Sequence, residues 1–411
     1  MGVPGHTDGV EWPGALNVSE LVAEGWTPTP FRQFILKIHS RCNLSCDYCY
    51  MYHMADQSWR EQPRTMAPEL IDKVAERIGE HVRAHRLPRI EFILHGGEPL
   101  LAGPARIRRA VTAVRAAAAP AEVRAYVQTN GVLLDEAFLD LFAELSIRVG
   151  VSLDGGEASH DRHRRFANGR GSHAAVSAGI RRLASPEYRH LFSGLLATVD
   201  LRAGAPVATY EALARHAPPV VDFLLPHGNW SAPPPGRHRD DPATPYGDWL
   251  VAVFDHWFGE TDDKPRIRLF SEIIRLLLGG RSRTEAVGLS PAAMAVIETG
   301  GQIEQVDTLK SAYHGAARTG LNIVDDPFDR ALLSPWTAAR QMGADALASS
   351  CRSCPVGRIC GGGMYPHRYR AGSGFANPSV YCPDLMRLIR HVRRTVARDL
   401  VATGHLDAVV P

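Results

Sequence analysis

The sequence has few of the features that would place a protein in a membrane, on nucleic acid or outside the cell. No apolar run approaches the ~20 residues a spanning helix needs. The opening Met1-Gly-Val-Pro-Gly lacks the basic-then-apolar pattern of a signal peptide. Met1-Gly2 starts like a myristoylation site, but no Ser or Thr follows at position six. Net charge is small: 46 basic and 44 acidic residues in 411 leave +2, which gives no overall pull toward nucleic acid or an anionic surface. Cysteine is scarce as well. All seven cysteines fall in two groups, at 42–49 and 351–382, with none left over for a scattered disulfide framework. That usage belongs to metal chemistry in a reducing compartment, and the expected location is cytoplasmic. The rest is ordinary for a globular protein, 45% hydrophobic and 22% charged, and long enough for two or three structural units.

The first cysteine group is Arg41-Cys-Asn-Leu-Ser-Cys-Asp-Tyr-Cys-Tyr50, directly after the apolar segment 31–39. Cys42, Cys46 and Cys49 are one thiolate short of filling a four-iron cluster. The iron without a protein ligand is open to a substrate or cofactor. Structural zinc asks for four closed ligands, typically in paired knuckles, and nothing near Cys49 supplies a fourth. Three cysteines this close cannot all pair as disulfides. The second group, Cys351-x2-Cys354-x5-Cys360 and then Cys382, supplies four thiolates, enough to fill a cluster or to hold a zinc.

Between the two groups, apolar runs alternate with amphipathic helices. Strands are expected at 31–37, 89–94, 123–129, 147–153, 191–199 and 220–225. Helices are expected from Pro68, with Leu70, Val74, Ile78 and Val82 on one face, and at 106–119 and 135–145. This alternation implies parallel strands with right-handed crossovers. The fold class is α/β: a partial (β/α)6 TIM-like barrel whose active-site residues sit at the strand C-terminal ends. Farther on, 231–245 reads as a loop, 246–258 and 271–278 as helices, 296–307 as a hairpin around Gly300-Gly301, and 383–401 as a closing helix. The expected division is a lead segment 1–30, the barrel 31–230, a linker and helical bridge 231–295, and a C-terminal domain 296–411 around the second cysteine group.

The first cysteine motif, with Tyr48 directly before its third Cys, resembles the signature of the radical S-adenosylmethionine (SAM) enzymes. The resemblance implies a 4Fe-4S cluster on Cys42, Cys46 and Cys49, with SAM on its open iron. It also implies a role for His95-Gly-Gly-Glu-Pro99, in which Gly96 and Gly97 admit backbone close to the ligand and Glu98 accepts from the SAM ammonium. Ser152 and Arg164, with Asp154 beside them, match residues that bind the SAM carboxylate and ribose in peptide and protein maturases of this type. Gln128 and Asn130 are expected beside the adenosine and Leu225 on the adenine.

The second cysteine group resembles the second auxiliary 4Fe-4S site of a SPASM domain, the C-terminal extension of many radical SAM maturases. Other cysteines of that pattern are replaced: the C-x3-C after Cys360 ends in Met364, and the upstream G-x4-C reads Gly301-x4-Val306. Two clusters are therefore expected, not three. Asp307 follows Val306 where SPASM proteins often have Cys-Asp, and in sulfatase maturases that acid is a base near the substrate. Gly361–Gly363 are expected to aim backbone amides at cluster sulfurs.

Three stretches, 50–59, 304–313 and 360–382, look like the FxsB-type maturases. That likeness implies a ribosomally made precursor peptide as substrate, an external electron donor such as flavodoxin or ferredoxin, and neither nucleic acid nor membrane as partner. The implied reaction is a cyclophane crosslink from an aromatic ring carbon to the Cβ of a nearby residue. The rival readings are a sulfatase-type formylglycine maturase, a thioether-forming maturase and a non-catalytic Fe–S sensor or scaffold. Thirty lead residues are too few for a winged-helix leader-binding domain, so the precursor is expected to add as a strand at the hairpin 296–306.

Overall fold

A computed structural model of the protein describes residues 11–238, 241–260 and 263–404. Its centre is one ten-stranded sheet. Strands β1 (Gln33–His39), β2 (Arg89–Gly96), β3 (Glu122–Thr129), β4 (Ile147–Ser152), β5 (Phe192–Thr198) and β6 (Val220–Leu224) lie side by side in chain order, every neighbouring pair parallel. This is the partial barrel that the alternation of strands and helices predicts, with most strand boundaries within two residues of those expected.

The helices form where the pattern places them. Helix Pro68–Ala84 opens with Pro at its first turn and buries Ile71, Val74, Ala75, Ile78 and Val82 along one stripe. It packs on helix Pro104–Ala118, and the two backbones approach closely at Gly79. A Cβ there would lie 2.4 Å from the carbonyl oxygen of Ala117, so the alanine-rich end of the second helix and this glycine belong to one tight crossing.

The sheet continues past the six barrel strands on both sides. The short β7 (Arg266–Ile267) joins β6 in parallel, so the segment expected as a linker supplies a strand. On the other side β8 (Met294–Ile297) pairs in parallel with β1, then turns through Gly300-Gly301 into β9 (Gln302–Glu304), and β10 (Arg318–Asn322) closes the series. The hairpin is thus seated inside the sheet: β9 has a partner on each side, and the free edge is β10, not the 296–306 hairpin expected to receive a peptide strand.

Two hydrophobic cores result. The large one fills the barrel and its helical layer. A smaller one gathers Trp12 of the lead segment with Val306, Leu309, Tyr365, Tyr369 and Phe375. The closing helix Cys382–Ala402 lies against helix Pro245–Gly259, where Asp384 accepts from the backbone N–H of Tyr246 and Gly247, each at 2.9 Å. That carboxylate caps the second helix and ties the last cysteine to the barrel. Among the described residues no helix is long and apolar enough to cross a membrane.

Candidate active site

Every barrel strand ends at one cavity. It is lined by Cys42, Cys46, Tyr48, Cys49 and Tyr50 after β1, by His95, Gly96 and Gly97 at the end of β2, and by Gln128, Thr129 and Asn130 from β3. Ser152 and Asp154 follow from β4, Leu196 and Thr198 from β5, and Leu225 and His227 after β6, with Arg164 closing one side. The structure therefore brings together almost all the residues singled out in the sequence, because parallel strands present their C-terminal ends to one mouth.

The three thiols sit deep in this cavity. Burial pushes Cys42 up to about 12 and Cys46 up to about 11, so without metal they hold their protons, and metal binding must release them. Donors already point at the sulfur of Cys42: the Leu44 N–H at 3.4 Å and the Asn130 side-chain amide at 3.6 Å. Such donors favour a thiolate over a thiol, as an iron–sulfur ligand requires.

Beside the thiols runs a polar chain. Arg164 donates to the Tyr48 hydroxyl at 2.9 Å, Tyr48 donates to Asp154, and the other Asp154 oxygen accepts from the Thr198 N–H at 3.0 Å. Arg164 is buried and lines the cavity, placing a positive charge on its wall. Gln128 donates to the Ser152 hydroxyl at 3.1 Å, so these two form one polar wall. Gly97 has no room for a side chain: a Cβ would meet the Tyr52 hydroxyl at 1.9 Å and the Arg41 carbonyl oxygen at 2.4 Å. These residues suit a ligand with a carboxylate, hydroxyls and an apolar ring.

Glu98 is placed differently from its expected role on the SAM ammonium. Its oxygens accept from Leu100 N–H at 3.0 Å, the Thr129 hydroxyl at 2.7 Å and Asn130 N–H at 2.8 Å. It is fully buried, does not line the cavity, and locks the end of β2 to the end of β3.

Asp307 lies just behind the wall formed by Tyr50, His95 and His227. His95 Nδ1 is 3.8 Å from it and Lys37 Nζ is 3.3 Å away. Burial alone would raise this carboxyl, but Lys37 and Lys310 outweigh it and hold the group at about 2. Lys37, His95 and His227 are further residues of the site that the motifs do not point to. A lysine in the middle of the apolar strand Gln33–His39, and 1% exposed, was the available signal.

The second cysteine group forms its own cavity of about 210 Å³, lined by all four thiols with Val356, Pro378 and Met386. None of the seven cysteines is in a disulfide. Cys382 is the first residue of a 21-residue helix, where the helix dipole favours a thiolate. The carbonyls of Gly361, Gly362 and Gly363 accept from the buried Arg368. That guanidinium places a positive charge beside the thiols, which suits an anionic cluster. Val306 is buried in the small aromatic core, where Tyr365 stacks on Phe375 at 4.5 Å.

Residues 36–195 match the Radical SAM superfamily. Over 390 residues the chain is 24% identical to a serine-type anaerobic sulfatase-maturating enzyme of Bacteroides thetaiotaomicron, covering 88% of this chain and 89% of that one. A second serine-type enzyme, of Klebsiella aerogenes, is 27% identical over 364 residues, with 86% and 84% covered. Among solved structures, native anSMEcpe with bound AdoMet and the Cp18Cys peptide superposes with a TM-score of 0.75 at 21% identity, covering 90% of this chain and 100% of that one. This likeness shows the shared fold. These relatives are sulfatase maturases and not cyclophane formers, so they support radical SAM chemistry on peptides without the FxsB-type assignment that the motifs imply.

Proposed function

We propose that this radical SAM enzyme takes a hydrogen atom from the Cβ of a residue in a peptide substrate and carries that carbon through a two-electron oxidation. The observation behind this reading is Asp307, an ionised buried carboxylate set against cavity-lining residues on the side away from Arg164. SAM bound at Cys42, Cys46 and Cys49 supplies a carbon radical able to remove an unactivated hydrogen, chemistry no side chain offers.

What the chain contributes is placement and proton handling. Arg164 faces the SAM carboxylate with its positive charge and is itself oriented by Tyr48 and Asp154. Gly96 and Gly97 let backbone come close, Ser152, Gln128 and Asn130 meet the hydroxyls, and Leu225 packs on the adenine. Asp307 accepts the substrate's proton. Lys37, 3.3 Å away, keeps it ionised and so able to accept. Cys351, Cys354, Cys360 and Cys382 hold a fully ligated 4Fe-4S cluster, whose chemistry is one-electron storage. A flavodoxin or ferredoxin is the external electron donor.

The relatives favour the sulfatase-type outcome, oxidation of a serine or cysteine side chain to formylglycine. A specific observation favours a second reading, the aromatic ring–Cβ crosslink. Sulfatase-type maturases normally keep both auxiliary clusters, whereas here Val306 stands where the pattern has a cysteine and packs into an aromatic core. Serine oxidation and crosslinking both leave the peptide two hydrogens lighter, so mass alone does not separate them. An aldehyde-reactive hydrazide does, applied after anaerobic reaction with SAM, reductant and either a sulfatase target peptide or the precursor encoded beside the gene. Under either outcome Asp307→Asn should cleave SAM yet form less than about 1% of the product, a loss in the range of deleting a general base. Full product from Asp307→Asn would remove this residue from the mechanism.

A further inference from the structure

Behind Asp307 the barrel wall contains an unbroken run of buried charges. Lys37 Nζ lies 3.3 Å from Asp307 and 3.3 Å from Glu298. Lys310 Nζ lies 2.8 Å from the same Glu298 oxygen, 2.9 Å from Glu304 and 3.4 Å from Asp56. The other oxygen of Asp56 is 3.1 Å from Nδ1 of His314, whose side chain is 55% exposed. Lys37, Lys310, Asp56, Glu298 and Glu304 are each no more than 3% exposed.

These groups come from five separate segments: β1, the loop at 56, the β8–β9 hairpin, the helical turn at Asp307–Ser311 and the residues after it. Removing so many ionised groups from water costs several kcal/mol each, and well-packed apolar side chains of similar volume are often no less stable. Two ammonium groups also face four carboxylates, so the run is not arranged for neutrality. What it does have is continuity: from the cavity wall to Asp56, groups of opposite charge alternate with no gap wider than 3.4 Å.

We propose that this ladder is the proton exit of the reaction, carrying the substrate proton from Asp307 through Lys37, Glu298, Lys310 and Asp56 to His314 at the surface. The proposal rests on Asp307 being the base. The proton arrives on the Asp307 carboxylate. Lys37 passes one of its own protons to Glu298 and takes that of Asp307, and Lys310 does the same between Glu298 and Asp56. Asp56 protonates His314 at Nδ1, and the imidazolium releases a proton from Nε2 to water. One proton leaves, every lysine ends as an ammonium and every carboxylate ends ionised. Nδ1 of His314 accepts from the Gln57 N–H at 3.3 Å, a bond the arriving proton displaces, and the exposed ring regains its starting tautomer by exchange with water. Glu304, 2.9 Å from Lys310 Nζ and pushed up by burial and by the charge of Glu298, is a side store for one proton.

His314→Ala is the test, since an exposed histidine is dispensable to the fold. With whichever of the two peptides the wild-type enzyme turns over, product formation by the holoenzyme should fall about tenfold while 5′-deoxyadenosine continues to form. Imidazole added to the buffer should restore coupling, a rescue that a packing role does not show. Asp56→Asn should show the same uncoupling without rescue, because the block is then buried. Asp307→Asn, run alongside, separates the two ideas. If Asp307→Asn is inactive but His314→Ala and Asp56→Asn turn over normally, or if imidazole restores nothing, the ladder is not a proton path. If Asp307→Asn keeps full activity, the base assignment fails, and the ladder with it.

Discussion

Glu98 and Lys37 show how a residue's chemistry and its address separate. In sequence, Gly96-Gly97-Glu98 after a strand reads as a ligand-binding turn. In the fold the two glycines serve that purpose, while the carboxylate is spent on Leu100, Thr129 and Asn130. Replacing Glu98 by Gln puts an amide nitrogen where an oxygen now accepts, leaving buried donors unmatched at about 1–3 kcal/mol. Glu98→Gln should therefore lower Tm by several degrees in a thermal melt, while SAM affinity of the folded fraction, measured by equilibrium binding, stays within about twofold. A Tm unchanged alongside a tenfold weaker affinity would instead put Glu98 on the ligand. The cysteines, Tyr48, Ser152, Asp154 and Arg164 were legible because their spacing or strand-end position is a local property. Lys37, His95 and His227 gain their roles only from Asp307, a partner distant in sequence, and no local pattern announces such a partner.

Strands and helices were readable for the same local reason: stripes of apolar residues at helical or alternate spacing. Their neighbours were not. That β8 would extend the sheet beyond β1 in parallel, leaving β10 as the free edge, depends on where the chain returns after some two hundred residues. The lead segment is another case. Glu11–Ala23 reads as a Gly/Pro-punctuated preface, yet Trp12 enters the small core, and Gly374 leaves its backbone against Trp12, where a Cβ would meet the carbonyl oxygen at 2.0 Å. This segment thus seals the core around Val306. Truncating a buried tryptophan costs about 3–5 kcal/mol. Trp12→Ala should unfold the C-terminal region several degrees earlier by near-ultraviolet circular dichroism, with iron content at the first cysteine group unchanged. A Tm equal to wild type would show that the lead is not part of the fold.

At the scale of the molecule, three cysteines, one sheet and one buried ion-pair ladder meet at a single cavity, while the other four cysteines line a cavity of their own. In the proposed account the three-cysteine group and Arg164 hold SAM, Asp307 stands behind Tyr50, His95 and His227, and the ladder connects it to water. The parallel sheet is what makes this convergence possible, since each strand end is free to carry a different residue without disturbing the core. The central claim, that the radical acts on a substrate Cβ, has a direct measurement. Peptide deuterated only at the Cβ of the target residue is reacted anaerobically with SAM and reductant, and the 5′-deoxyadenosine is weighed by mass spectrometry. The account predicts one deuterium in 5′-deoxyadenosine for each product formed. Product appearing with unlabelled 5′-deoxyadenosine and all Cβ deuterium still on the peptide would contradict it.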